Sequence, residues 1–204
     1  MYTIGLVGGV ASGKSMVAEM LAEFGAVVLN ADRAAHNVLT QPEVQAQLVA
    51  RWGRGILLED GVIDRQAVAR IVFGDDPPAS EEREFLESVV HPLARAALET
   101  KRKLLAQEGK EVFVIDAPLL LEAGWDSACD CVIFVDTPDS ARLVFAQKRG
   151  WPSGELVRRE NAQMPLATKR HRADLVLDNS IDIAKLRQQI EIFWQEMVLP
   201  QLGD

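Results

Sequence analysis

The stretch GGVASGKS, Gly8 to Ser15, decides how this chain is read. Before it runs Tyr2-Thr3-Ile4-Gly5-Leu6-Val7, short, apolar and ended by glycines, which predicts a buried strand. After it, Val17, Met20, Leu21 and Phe24 recur at helical spacing and predict an amphipathic helix. The octet is therefore a strand-to-helix turn with the spacing Gly8-x-x-x-x-Gly13-Lys14-Ser15.

Each residue type in that spacing has a physical reason to be there if the turn holds a nucleotide phosphate. Glycines reach backbone torsions that other residues resist, so successive N–H groups can converge on one anion. The following helix adds the positive end of its dipole and its unpaired first-turn N–H groups. Lys14 would reach the outer phosphates as a point charge, and the Ser15 hydroxyl would ligate Mg²⁺. A chance match to this spacing is on the order of one in a hundred for a chain of this length. The dinucleotide fingerprint G-x-G-x-x-G is absent at the required offsets.

Composition agrees with an enzyme built on one core. A chain of 204 residues that is 48% apolar can bury a full core in a single domain. A net charge of −8 argues against nucleic-acid binding, which relies on a positive surface. Lys101-Arg102-Lys103, the tightest basic run, reads as a solvated helical face. Cys129 and Cys131, the only cysteines, flank the start of an apolar strand and are read as neither bridging nor chelating together. Three isolated histidines give no metal cluster. With no basic leader and no apolar run long enough to span a bilayer, the expectation is a cytoplasmic protein with no membrane partner.

Further strands are predicted at Ala26–Leu29, Glu111–Asp116, Cys131–Asp136 and Leu175–Leu177, separated by helical patterns, the signature of a mostly parallel α/β sheet of five strands. An amphipathic C-terminal helix carries Ile183, Leu186, Ile190, Phe193 and Met197. Residues 33–109 are mostly helical in spacing and too long for a simple crossover, so they read as a helical insertion. Asp75-Asp76-Pro77-Pro78 should break it, and Pro92 should kink or restart its last helix. A core of about 1–32, 110–141 and 172–204 is expected, with a helical lid over 142–171.

Ligands in such sheets sit beyond the carboxyl ends of the strands, where Asp32, Asp116 and Asp136 fall. Asp136 is equally an N-cap for the helix that follows. Asp116 ends an apolar strand as a Walker B acid does and would hold Mg²⁺. Asp32, in NADR, is placed to accept the proton of an attacking hydroxyl. Downstream, Arg142, Lys148, Arg149, Arg158, Arg159, Lys169, Arg170 and Arg172 cluster around Gly150-Trp151-Pro152, a natural lid tip. Arginines there, Arg149 and Arg159 foremost, can stabilise the charge that phosphoryl transfer spreads over equatorial oxygens.

Together these residues resemble the dephospho-coenzyme A kinase family along nearly the whole chain. The resemblance rests on GLVGGVASGKS, LNADRAAH (Leu29–His36), VVHPL (Val89–Leu93), APLLLEAG (Ala117–Gly124) and ENAQMPLATKRHRADLVLDNS (Glu160–Ser180). Two departures stand out: Met16 where the family usually has Thr, and Ala11 where it usually has Gly. Neither removes a backbone donor or the Ser15 hydroxyl.

The resemblance implies a P-loop kinase that transfers the γ-phosphoryl group of ATP to the ribose 3′-hydroxyl of dephospho-CoA. It implies an ATP cradle of Gly8, Gly9, Ala11, Ser12, Gly13, Lys14, Ser15 and Met16, with Asn179 in a loop against the adenine. It places Asp32, His91, Pro118 and Leu119 toward dephospho-CoA, with Asp32 as the base and Lys14, Arg149 and Arg159 on the phosphates. His91 is not read as catalytic, since Pro92 alone accounts for a helix junction there. The alternatives are another small-molecule P-loop kinase, for a nucleoside or sugar, and an NTPase switch. A GTPase switch would need a guanine-reading Asn-Lys-x-Asp, which does not occur.

Overall fold

The computed structural model describes residues 1–73 and 79–203, so the expected break at Asp75–Pro78 lies outside the described residues. In chain order the main elements are β1 (Tyr2–Gly8), α1 (Lys14–Glu23), β2 (Val27–Asn30), α2 (Ala31–Val38), α3 (Pro42–Trp52), α4 (Arg65–Val72) and α5 (Ala79–Gln107). There follow β3 (Val112–Asp116), β4 (Cys131–Asp136), α6 (Asp139–Lys148), α7 (Glu155–Asn161), α8 (Leu166–His171), β5 (Leu175–Asp178) and α9 (Ile183–Phe193). The chain divides into two units: Met1–Asn30 with Lys101–Asp204, and Ala31–Thr100.

The first unit holds a five-stranded sheet in the order β2-β3-β1-β4-β5, with every pairing parallel. Parallel strands are covered on both faces, so they read as near-continuous apolar runs. Accordingly, every residue of β1 and β3 is buried. Leu6, Val114 and Ile133 from the sheet pack with Val17 and Leu21 of α1 and Leu186 of α9 in one apolar cluster. Register sets the functional edge. Leu6 lies opposite Asp116, Asn30 opposite Asp116, and Gly8 opposite Val135, so the carboxyl ends of four strands finish together around the Gly8–Ser15 loop.

Three expectations are corrected in detail. Beyond α9 the chain passes into a π-helical turn, Trp194–Val198. The wider turn shifts the buried face, so Trp194 and Val198 are buried while Met197 is exposed; Ile183, at the start of α9, is exposed as well. Of the kink or restart expected at Pro92, the restart does not occur: Pro92 stands inside α5. It removes one hydrogen bond to the Ser88 carbonyl, and both residues are exposed, where solvent can replace the missing donor. Arg102 is not simply solvated: its Nη1 donates to Thr3 Oγ1 (3.2 Å) and fixes the start of β1.

The second unit is helical. Pro42 opens α3, and the Asp64 carboxylate caps α4 by accepting from Gln66 N at 2.9 Å. Glu82 of α5 accepts from Arg51 (2.8 and 3.0 Å) and from Trp52 Nε1 (2.7 Å), while Trp52 meets the Phe85 ring edge-on.

Candidate active site

The turn between β1 and α1 is shaped by close approach. A Cβ on Gly8 would stand 2.7 Å from the Val135 carbonyl, and one on Gly13 would stand 2.9 Å from Asn179 Nδ2. Both glycines have positive φ, 147° and 89°. Ala11 also has positive φ, 59°, the only described residue other than glycine to do so. A glycine would take that torsion without strain; this chain accepts local strain in exchange for a buried methyl.

The loop is braced from behind. The Ser12 carbonyl accepts from Thr137 Oγ1 at 2.7 Å and from Asn179 Nδ2 at 3.0 Å. Thr137 follows β4 and Asn179 follows β5, so two strand ends hold one carbonyl. Asn179, expected beside adenine, is therefore seen holding the loop itself. Ser12 Oγ is buried without a hydrogen-bond partner among the described residues. Gly9 lacks a Cβ because Arg142 occupies that space: an added Cβ would lie 2.6 Å from its Nη1. Arg142 is only 2% exposed; it donates to the Val10 carbonyl and pairs with Asp139 and Glu160.

Lys14 folds back on the loop, its Nζ donating to the Gly9 carbonyl (2.7 Å) and the Gly8 carbonyl (3.2 Å). Burial pulls its pKa down to about 8, and the charges of Lys169, Arg149 and Arg142 push the same way while Asp116 opposes them. A lysine so crowded by cations is stabilised by an arriving anion. Next to it, Ser15 Oγ donates to Asp116 Oδ2 at 3.3 Å, and Asn30 Nδ2 approaches the same oxygen at 3.4 Å. Asp116 is 7% exposed. A hydroxyl and a carboxylate at the head of a phosphate loop are the hard oxygen donors that Mg²⁺ takes, with phosphate oxygens and water completing its shell. Met16 follows in α1, half-buried against the sheet core.

Arg149 ends α6 and Arg159 lies on α7; both guanidiniums lie over the Trp151 ring, at 5.7 and 4.3 Å from its centroid. Asp136 is neither an N-cap nor directed at the loop; it pairs with Arg170, and Pro138 takes the N-cap position of α6. A cleft of about 200 Å³ beside the loop is lined by Gly9, Thr137, Arg142, Leu166 and Arg170 among others. Ligand pockets usually exceed ~300 Å³, so this cleft admits only part of a nucleotide.

Pro118 and Leu119 are half-buried just past β3. Lys169, which the sequence offered only as one of the cations around the expected lid, has a role that sequence reasoning missed. It is 1% exposed, and its Nζ meets Glu122 Oε1 (2.9 Å), Gln163 Oε1 (2.9 Å) and the Pro118 carbonyl (3.3 Å). Glu122 also accepts from Met164 N at 2.8 Å, so this cluster ties the loop after β3 to the segment joining α7 and α8. In the second unit, Asp32 is exposed in the first turn of α2, two residues after Asn30 in the chain, and His91 is half-buried within α5.

A parallel sheet with β1 central, a glycine loop opening α1, and Lys14 and Ser15 beside a strand-end aspartate define a P-loop kinase. The family model described as dephospho-CoA kinase matches residues 2–185. The chain belongs to the dephospho-CoA kinase family. It is 40% identical over 199 residues to the dephospho-CoA kinase of Symbiobacterium thermophilum, covering 96% of this chain and 81% of that one. Among solved structures it resembles TT1252 from Thermus thermophilus (TM-score 0.80, 31% identity, covering 96% of this chain and 97% of that one). It also resembles the dephospho-CoA kinase from Campylobacter jejuni (TM-score 0.69, 26% identity, covering 95% and 96%). Among the described residues no helix is long and apolar enough to cross a membrane.

Proposed function

We propose that the chain transfers the γ-phosphoryl group of ATP to the 3′-hydroxyl of the ribose of dephospho-CoA, giving coenzyme A and ADP, in the cytoplasm. The observation that carries this reading is the grouping of Lys14, Ser15 and Asp116 at the head of the loop, in a chain of this family. The loop N–H groups, from Gly8 to Met16, bind the phosphates, and Lys14 exchanges its two carbonyl partners for phosphate oxygens. Ser15 and Asp116 would hold Mg²⁺, which neutralises charge on the phosphates and keeps them in line. Arg149 and Arg159 bring planar donors to the transferring group. Asn179 keeps the loop in shape on the adenine side. His91, Pro118 and Leu119 face dephospho-CoA.

Asp32 accepts the proton of the attacking hydroxyl. It follows β2 by two residues and is exposed in the first turn of α2. A loose transition state asks little of a base, so positioning the hydroxyl contributes part of its effect.

The test is release of ADP with dephospho-CoA as acceptor, beside adenosine, gluconate and shikimate. Only dephospho-CoA should support rapid turnover; a preference for another acceptor overturns the substrate. With the right acceptor, Asp32→Asn should lower turnover roughly a hundredfold, the usual range for losing general-base help, and leave ATP affinity unchanged. Parental turnover in that variant removes Asp32 from the chemistry.

A further inference from the structure

The sequence Arg149-Gly150-Trp151 ends α6 in a way that fixes where the indole goes. Gly150 takes positive φ (72°), Gly150 N donates to the Gln147 carbonyl (2.9 Å), and Trp151 N donates to the Ala146 carbonyl (3.2 Å). This pair of bonds is a Schellman cap, whose residue past the glycine turns back on the helix. Trp151 is therefore not a solvated tip. It is half-buried against a small cluster of Ala146, Leu156 and the P-loop residue Ala11.

On that anchored ring ride two cations. Arg159 Cζ lies 4.3 Å from the ring centroid and Arg149 Cζ lies 5.7 Å from it. Arg159 spends only its Nε, on Glu155 Oε1 at 2.7 Å; its Nη atoms make no hydrogen bond among the described residues. Arg149 makes no ion pair among the described residues, whereas Arg142, Arg158, Arg170 and Arg172 each have a carboxylate. Stacking occupies the face of a guanidinium and leaves its in-plane N–H donors unused. Two like charges gathered on one ring, with donors unspent, form an arrangement that an anion completes. The ring that carries them packs against the cluster holding Ala11, a residue of the phosphate loop, and the loop is where such an anion would lie.

We propose that Trp151 is a positioning residue for phosphoryl transfer: packed against the cluster that includes Ala11 of the P-loop, its indole holds Arg149 and Arg159 ready for the polyphosphate of the bound nucleoside triphosphate. This rests on the reading of those two arginines as phosphate ligands. A phenyl ring keeps a π face, and a leucine keeps only bulk. The variants are therefore Trp151→Phe, Trp151→Leu, Arg159→Met and the Trp151→Leu/Arg159→Met pair, with Arg149→Met alongside. Turnover, KM for ATP and melting temperature are measured for each.

Trp151→Phe should stay within about twofold of the parent kcat. Trp151→Leu should lose about five- to tenfold in kcat at a similar melting temperature, and should lose much less when Arg159 is already Met, because the two act as one unit. Parental kcat in Trp151→Leu while Arg159→Met or Arg149→Met is impaired overturns the role of Trp151 and leaves the arginines in place. Parental kcat in both arginine variants overturns the reading of the arginines themselves. Equal losses from Trp151→Leu in both backgrounds assign the ring to packing and also overturn the proposal. Should Trp151→Leu fail to fold, emission decides. The fluorescence of the parent minus that of Trp151→Phe should change saturably on titration with ATP and stop changing in Arg149→Met/Arg159→Met. An emission indifferent to ATP overturns the proposal.

Discussion

The cations around the P-loop fall into two sets that differ in how they are held. Arg142 and Lys169 are buried, and apart from Arg142 Nε their donor nitrogens are bonded to carboxylates and carbonyls of the protein itself. Arg149 and Arg159 are exposed, rest on an aromatic face, and keep most of their donors unspent. All four carry the same charge within one stretch of chain, yet the first set braces the site and the second is available to a ligand. Charge alone does not assign a role; what the donors have already bonded to does.

The sharpest way to break this comparison is to remove a brace. Lys169→Met leaves Glu122 and Gln163 without their shared partner. Removing one member of a buried pair costs ~3–5 kcal/mol, and because Glu122 keeps some access to water the loss should be about 2–3 kcal/mol. For a protein of this size that lowers the melting temperature by roughly 5–10 °C. Lys169→Arg should recover part of it. A melting temperature equal to the parent's would show that Lys169 is not a brace, and the division into two sets would fail.

A second prediction concerns Lys14, which stands between the sets: half-buried, and bonded only to carbonyls it can release. Its pKa is held down to about 8, chiefly by burial, with neighbouring cations adding to the effect. A bound polyphosphate favours the charged lysine and raises that value. Affinity for ATP should therefore be flat below about pH 8 and fall above it, by up to about tenfold per pH unit until the pKa of the bound state is reached. Calorimetric titration between neutral and alkaline pH would show the slope. Lys14→Ala should abolish it and lower turnover by two or more orders of magnitude, about 3 kcal/mol. A parent slope identical to that of Lys14→Ala would remove Lys14 from the phosphates.

What could be read in the sequence, and what could not, follows the same division. The strands were legible because each is a short apolar run closed by glycine or an acid, and β4 is found at the predicted residues, Cys131–Asp136. The loop was legible because its glycines answer to local torsions and close approaches. The braces were not. A buried lysine has the same one-letter code as a solvated one; the acid that holds Lys169 lies 47 residues away, and of the two that hold Arg142, Asp139 is local but Glu160 lies 18 residues away. The role of Asn179 on the Ser12 carbonyl depends on β5 ending beside β4, a fact of sheet order rather than of spacing. The π-helical turn at Trp194–Val198 escaped because a regular 3.6-residue period cannot anticipate an inserted step.

The smallest expected effect comes from Ala11→Gly, at the point where the loop, α6 and Trp151 meet. Three terms oppose one another. Glycine relieves the left-handed torsion of Ala11, worth ~1–2 kcal/mol. It also frees the unfolded chain, at a cost of ~0.5–1 kcal/mol, and removes one buried methyl, worth ~0.8 kcal/mol. The sum is close to zero, so the melting temperature should move by no more than about 3 °C in either direction. An alanine at an ordinary buried position would lose on every term. Kinetics then separate loop from platform: the P-loop donors are unchanged, so KM for ATP should hold, while any loss should fall on kcat through looser seating of Trp151 on the loop. A loss of stability above ~2 kcal/mol would mean that the methyl outweighs the torsion. The cluster of Ala11, Ala146 and Leu156 against which Trp151 packs would then depend on that methyl to link the exposed arginines to the braced loop.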